Sequence, residues 1–85
     1  MNTVFIVVVI NMIKQDMCEV YIPDLRVKQY GEDRVEAIAD TIQLVAALKA
    51  YCHNKGINFN PTATAESAAQ YVKTKDGFVT VLCIE

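Results

Sequence analysis

The pattern of apolar residues near the start of the chain predicts a strand that is buried on both faces. Residues 3–13 are dominated by Val, Ile and Phe, the β-branched and aromatic types that suit a pleated surface. Apolar side chains fall on both sides of this strand: Val4, Ile6, Val8, Ile10 and Met12 on one, and Phe5, Val7, Val9 and Ile13 on the other. A strand of this kind is usually central in its sheet.

Three later segments also predict strands. Residues 17–22 alternate, with Glu19 and Tyr21 on a face expected to be half exposed, and they stop at Pro23, which cannot donate to a β-ladder. Residues 25–30 alternate weakly and predict a third strand that ends at Gly31. Residues 78–84 are apolar on both faces and predict the last strand.

Between the third and fourth strands, the spacing predicts one long helix. Asp33 is a suitable N-cap, and Glu36 three residues later fits a capping box. Lys55 in the last turn and Gly56 just beyond it are typical of a helix end. The expected buried stripe contains Val35, Ile38, Ala39, Ile42, Leu44, Val45, Ala46, Leu48 and Tyr51.

A second, short helix is predicted at residues 65–72, capped by Thr62 or Thr64. Its apolar face would consist of Ala65, Ala68, Ala69 and Val72. The order is then β-β-β-α-(α)-β, which predicts a two-layer α+β domain spanning residues 1–85.

Composition narrows the classes of function. The net charge is -2 and the pI about 5.3, and no stretch is basic enough to predict nucleic-acid binding. The mixed cluster of Lys73, Lys75 and Asp76 predicts a solvated turn. The three cysteines are widely spaced and lack a C-x-x-C motif, which favours free thiols in a reducing cytoplasm. The apolar run at residues 4–10 is too short to span a bilayer.

Several motifs resemble the HicB antitoxin family. They are Val20-Tyr21-Ile22-Pro23-Asp24-Leu25 at the end of the second strand, Gly31-Glu32-Asp33 and Glu36-Ala37 before the long helix, Pro61 in the following loop and Phe78-Val79-Thr80-Val81 in the last strand. The resemblance covers nearly the whole chain. One departure is Arg26-Val27-Lys28, where many members continue with Pro-Gly-Cys.

The resemblance implies both a fold and a function. The fold would be a partial ribonuclease-H-like sheet, an antiparallel-rich mixed sheet of order 3-2-1-4, with the long helix across one face. The chain would bind and neutralise a HicA-type mRNA-cleaving toxin, and the contact residues would be Tyr21, Pro23, Asp24 and Leu25. The matching part lacks the DNA-binding segment of many members, so we expect no direct DNA binding. The alternative is an orphan structural domain that associates with itself and has no toxin partner.

The sequence predicts neither catalytic residues nor cofactor or metal sites. A two-metal nuclease needs converging carboxylates, and the first strand offers only Asn11. Cys52 and His53 are helix neighbours that point about 100° apart, so a nucleophile pair is not expected. We interpret the tyrosines as core or interface residues rather than stacking platforms for bases; they are Tyr21, Tyr30, Tyr51 and Tyr71.

The last strand predicts self-association as a homodimer or larger oligomer. With a helix on one face only, the other face would expose a contiguous apolar patch, which is rare on soluble monomers. The patch would consist of Phe5, Val7 and Val9 with Val79, Val81 and Cys83, or of the residues that alternate with these along the two strands. The edge has no proline or charge, and the predicted interface residues are Phe78, Val79, Val81 and Cys83. The alternative is that the short second helix covers the patch.

Overall fold

Four strands form one sheet, and helical segments pack on both of its faces. The computed structural model describes residues 3–85. Met1 and Asn2, which the predicted domain includes, lie outside the described residues. The elements are β1 Val4–Lys14, β2 Met17–Ile22, β3 Val27–Gly31, α1 Arg34–Asn54, α2 Ala65–Ala68 with a 3₁₀ turn Ala69–Tyr71, and β4 Phe78–Ile84.

The strand order is β3-β2-β1-β4, as predicted, and β1 is an interior strand. The prediction of a mixed sheet was wrong, because every adjacent pair is antiparallel. The reason is the path of the chain between α1 and β4. After α1 the chain passes the β2–β3 turn, where the Thr62 N–H donates a hydrogen bond to Asp24 Oδ1. It then crosses the second face to the far end of β1, where Phe78 pairs with Ile10, so β4 returns antiparallel to β1.

Helix α1 covers the first face of the sheet. Asp33 caps it by accepting a hydrogen bond from the Glu36 backbone N–H at 2.8 Å. At its other end the Gly56 N–H donates to the His53 carbonyl and the Ile57 N–H donates to the Cys52 carbonyl. These two hydrogen bonds form a Schellman motif. The buried core between helix and sheet contains Ile6, Val8, Ile10, Cys18, Val20, Ile22, Ala37, Val45, Leu82 and Ile84.

The predicted buried stripe of α1 was confirmed only in part: Val45 is buried, and Ile38 and Ala46 pack half-buried against the core. The residues that the helix buries are Ala37, Thr41, Val45, Lys49 and Cys52. Val35 and Tyr51, expected in the stripe, are 79% and 55% exposed. Apolar residues occur almost all the way round α1, so periodicity alone does not select the inward side. One local constraint is Gly31, because a Cβ there would stand 2.6 Å from the Ala37 nitrogen.

The second face of the sheet is partly covered, which corrects the expectation of a fully open face. Thr64 caps α2 by accepting from the Ser67 N–H at 3.1 Å. Ala68 is buried against Val7 and Val9, which are 9% and 0% exposed. Ala65 and Ala69, however, are exposed rather than part of the apolar face. No helix between residues 3 and 85 has the length and apolar character needed to cross a membrane.

The β2–β3 turn is longer than predicted. Both the Leu25 and the Arg26 N–H groups donate to the Ile22 carbonyl, at 3.1 and 2.8 Å. The turn therefore consumes residues 23–26, and β3 begins at Val27 rather than Leu25. Arg26 has φ 55°, in the left-handed region that costs a non-glycine residue roughly 1–2 kcal/mol.

This strain predicts that Arg26→Gly stabilises the protein. Glycine removes the left-handed penalty but adds entropy to the unfolded chain, so we expect a net gain of about 0.5–1 kcal/mol. Arg26→Ala keeps the strain and should leave the free energy of unfolding nearly unchanged. Urea unfolding at constant m-value measures both. An Arg26→Gly midpoint equal to that of Arg26→Ala would contradict the assignment of strain.

Candidate functional site

The side chain of Asn11 in β1 forms hydrogen bonds to residues 71–74. These residues belong to the segment 62–77 that covers the second face of the sheet, which we call the covering segment. Asn11 is fully buried. Its Nδ2 donates to the Tyr71 carbonyl at 3.2 Å, and its Oδ1 accepts from the Lys73 and Thr74 N–H groups at 2.8 and 3.2 Å. A Cβ at Gly77 would collide with that oxygen. Asn11, the only candidate metal ligand in the first strand, thus connects β1 to the chain that leads into β4 by hydrogen bonds.

Glu19 in β2 is the second polar group that sequence analysis misjudged. It was expected on a half-exposed face, yet it is 2% exposed. The Lys73 Nζ lies 2.9 Å from its Oε1 and 3.1 Å from its Oε2, with hydrogen-bond geometry toward Oε2. The Tyr30 hydroxyl donates to Oε2 at 3.3 Å, and the Lys28 Nζ stands 4.0 Å away. Oε1 has no hydrogen-bond partner within residues 3–85.

The Glu19 carboxylate therefore depends on nearby ammonium groups, because a buried charge is costly unless it is paired. The hydrogen bond from Lys73 to Glu19 raises the pKa of Lys73 above its usual 10.5, and partial desolvation opposes this more weakly. Lys73 is thus an ion-pair partner of Glu19, while Lys75 and Asp76 lie exposed in a turn as predicted. Cys18 differs, since burial raises the pKa of its thiol and so disfavours the reactive thiolate.

A groove of about 420 Å³ opens beside this pair, lined by Glu19, Tyr21, Lys28, Gln70, Tyr71 and Lys73. The Tyr21 and Tyr71 rings lie 4.8 Å apart at 59°. The groove offers aromatic faces and ammonium groups for contact, while its carboxylate already faces Lys73. Its volume lies near the lower end of small-molecule sites.

The four predicted partner-contact residues do not form one surface. Tyr21 packs on the second face, whereas Leu25 packs against the core beneath α1. The Asp24 Oδ1 accepts from the Thr62 and Ala63 N–H groups at 2.8 and 3.0 Å. Asp24 therefore holds the start of the covering segment, and Pro23 remains half-buried in the turn.

Three of the four predicted oligomer-interface residues lie on the second face along the free edge of β4. Val81 is 51% exposed, the Cys83 thiol is free and exposed, and Val79 is half-buried. Phe78 alternates to the α1 face, where Arg34 lies over its ring. Phe5, whose Cα pairs with Cys83 across the strands, is 64% exposed. We call Phe5, Val79, Val81 and Cys83 the β4 surface.

Helix α1 presents a further surface that the sequence pattern missed. Its start is acidic, with Glu32 and Glu36 exposed and Asp40 half-buried. Farther along, the exposed side is uncharged until His53 and includes Leu44 and Tyr51. We call Glu32, Glu36 and Asp40 the acidic start of α1.

Residues 3–85 contain no group of three or more His, Cys, Asp or Glu side chains placed to hold a metal ion. Comparison of the chain with known protein families, with curated proteins and with solved structures gives no match.

Because the Asn11 side chain forms hydrogen bonds to residues 71–74, we predict that Asn11→Ala makes the covering segment more mobile. Removing the side chain leaves partly buried backbone groups without partners, so we expect a loss of about 1–2 kcal/mol of stability. Hydrogen exchange at the Lys73 and Thr74 amides should accelerate. Gln70→Ala removes an exposed hydrogen bond to Ser67 and serves as the matched control. Unchanged protection at both amides would show that Asn11 does not hold the segment.

The Glu19–Lys73 pair predicts a shift in titration. Glu19→Gln should lower the pKa of Lys73 toward 10.5, because the hydrogen bond that Lys73 donates to Glu19 is the main cause of the increase. Since the pKa is raised in the folded state, the stabilisation is present below 10.5 and is lost as pH rises through the folded value. NMR titration of the Lys73 side chain measures this. Glu66→Gln is the control, and an equal Lys73 pKa in both variants would disprove the pairing.

Proposed function

We propose that this chain is a HicB-like antitoxin domain that binds and neutralises a small, basic, HicA-type mRNA-cleaving toxin. In this proposal the domain has no catalytic activity of its own and works in the cytoplasm. The partial ribonuclease-H-like fold that the resemblance implies belongs to the same proposal. The antiparallel β4 departs from the mixed sheet that the resemblance implied.

The strand order is the observation that supports this proposal best. Short motifs at the end of β2 and before α1 suggested the family, and the family implied the order 3-2-1-4 beneath one long helix. The sheet has that order. Periodicity alone predicted only two layers, so this agreement is an additional point in favour of the resemblance.

Charge indicates where a basic partner would approach. The acidic start of α1 is exposed and lies beside the uncharged outer side of the same helix. The groove is less suitable for a basic partner, because Lys28 and Lys73 line it. Complementary charge accelerates association and selects the partner. We therefore place the first contact at α1, with Tyr21 and Pro23 as a second region and with Asp24 and Leu25 shaping the turn.

The second candidate function is a self-associating structural domain without a toxin. The exposed β4 surface favours it, since a free, uncharged edge strand is a template for pairing with another chain. The two functions make different predictions about the neighbouring gene. A short adjacent reading frame for a basic protein favours the antitoxin, and its absence favours the structural domain.

The test uses the purified chain and the basic protein encoded by that adjacent frame. We expect a complex, and loss of RNA cleavage when the chain is added in equimolar amount. Glu36→Lys with Asp40→Lys should weaken binding by about tenfold and reduce its dependence on salt. Glu66→Lys, on the other side of the sheet, makes a similar surface change and is the control.

Two results would contradict the antitoxin proposal. One is the absence of a complex in calorimetry at about 10 µM, a concentration that detects micromolar affinity. The other is a complex that forms while RNA cleavage continues at the full rate.

A further inference from the structure

The groove beside Glu19 lies between the sheet and the covering segment. In the β2–β3 register Tyr21 is paired with Lys28 and Glu19 with Tyr30, so these four side chains share the second face. Three of them form one wall of the groove: Glu19, Tyr21 and Lys28. The covering segment forms the other wall with Gln70, Tyr71 and Lys73. A molecule bound in the groove therefore contacts both the sheet and its cover.

The charges of the groove do not balance. Lys28 and Lys73 each carry a positive charge, and Glu19 is the only acidic residue that lines the groove. The Glu19 carboxylate already accepts hydrogen bonds from Lys73 and Tyr30. The Lys28 Nζ stands 4.0 Å from Glu19 Oε2, beyond hydrogen-bond distance. Its ammonium donors are therefore available to a ligand, and one positive charge in the groove is left without compensation.

The exposure of these groups decides which charge a ligand meets. The Glu19 side chain is 3% exposed, whereas the side chains of Lys28 and Lys73 are 49% and 48% exposed. The carboxylate thus lies behind the two ammonium groups. Both ammonium nitrogens lie within 4.0 Å of Glu19 Oε2, so they are close enough for one anionic group to contact both. Such an anion also relieves the repulsion between the two positive charges.

Aromatic surface adjoins the ammonium groups. The Tyr21 and Tyr71 ring centres lie 4.8 Å apart, and Tyr71 is 39% exposed. A flat ring of a ligand can pack on Tyr71, since aromatic pairs attract each other beyond the area that they bury. The volume of about 420 Å³ lies in the range of small-molecule sites and is suited to one ring with one anionic group.

From these contacts we propose that the groove binds a small aromatic anion, a planar ring that carries one carboxylate or phosphate group. The anionic group lies between Lys28 and Lys73, and the ring packs against Tyr71. This binding does not require the toxin. It is tested on the purified chain alone, so that its failure is distinguishable from failure of the antitoxin proposal.

NMR titration of the chain in phosphate-free buffer is the first test, with benzoate and phenyl phosphate as the probes. Benzyl alcohol supplies the ring without the charge, and acetate supplies the charge without the ring. We expect a dissociation constant of about 1 mM or lower for at least one aromatic anion, and binding at least about tenfold weaker for benzyl alcohol and acetate. The tighter of the two aromatic anions identifies the preferred anionic group.

Two variants separate the charge from the ring. Lys28→Gln leaves the hydrogen bond from Lys73 to Glu19 in place and should weaken benzoate binding by about fivefold. Lys14→Gln makes the same charge change at an exposed position at the end of β1 and is its control. Tyr71→Ala keeps the backbone carbonyl that binds Asn11 and should weaken benzoate more than acetate. Tyr51→Ala, which removes an exposed tyrosine from α1, should change neither.

Hydrogen exchange locates the bound anion, because a ligand that contacts both walls holds the covering segment on the sheet. At ten times its dissociation constant, benzoate should slow exchange at the Lys73 and Thr74 amides by about tenfold. The Ile57 amide, which is bonded to Cys52 at the end of α1, should not change. Three results would overturn the proposal: benzyl alcohol that binds as tightly as benzoate, equal affinity of Lys28→Gln and Lys14→Gln for benzoate, or unchanged exchange at Lys73 and Thr74.

Discussion

The structure depends on the need to bury both faces of β1. Residues Ile6 to Asn11 of this strand are buried, and a single helix can cover only one side of them. Helix α1 buries the first face of β1 in an apolar core. The second face needs its own cover, and residues 62–77 provide it. The antiparallel direction of β4 follows, because this covering segment carries the chain back to the far end of β1 before β4 begins.

The covering segment has little apolar material, so polar contacts hold it in place. Its main buried apolar residue is Ala68, and one alanine contributes little hydrophobic stabilisation. Asp24 fixes its beginning and Asn11 fixes its end. Next to the Asn11 contacts, the Lys73 ammonium group forms an ion pair with the buried Glu19 carboxylate. Polar residues in the strands, which suggested candidate chemistry, thus connect the cover to the sheet.

The covering segment leaves part of the second face exposed, and this exposed part is available for contact with a partner. The segment shields Val7 and Val9 but stops short of Phe5 and Val81. The acidic start of α1 lies on the other side of the sheet from the covering segment. The two surfaces meet at one point, because Arg34, which lies between Glu32 and Glu36 in sequence, contacts the Phe78 ring of β4.

The sequence by itself determined the elements that local signals specify. β2 and β4 agree with the predicted residues, and Asp33, Thr64 and Gly56 mark helix ends as their side chains and backbone freedom require. The exposed β4 residues were also predicted, because an uncharged strand is visible in the sequence. Tertiary structure alone decided the inward side of α1, since its apolar residues surround the helix. It also decided the roles of Asn11, Glu19 and Asp24. Their partners in the covering segment lie 38 to 63 residues away in sequence, and no local pattern encodes a contact between segments that only the folded chain brings together.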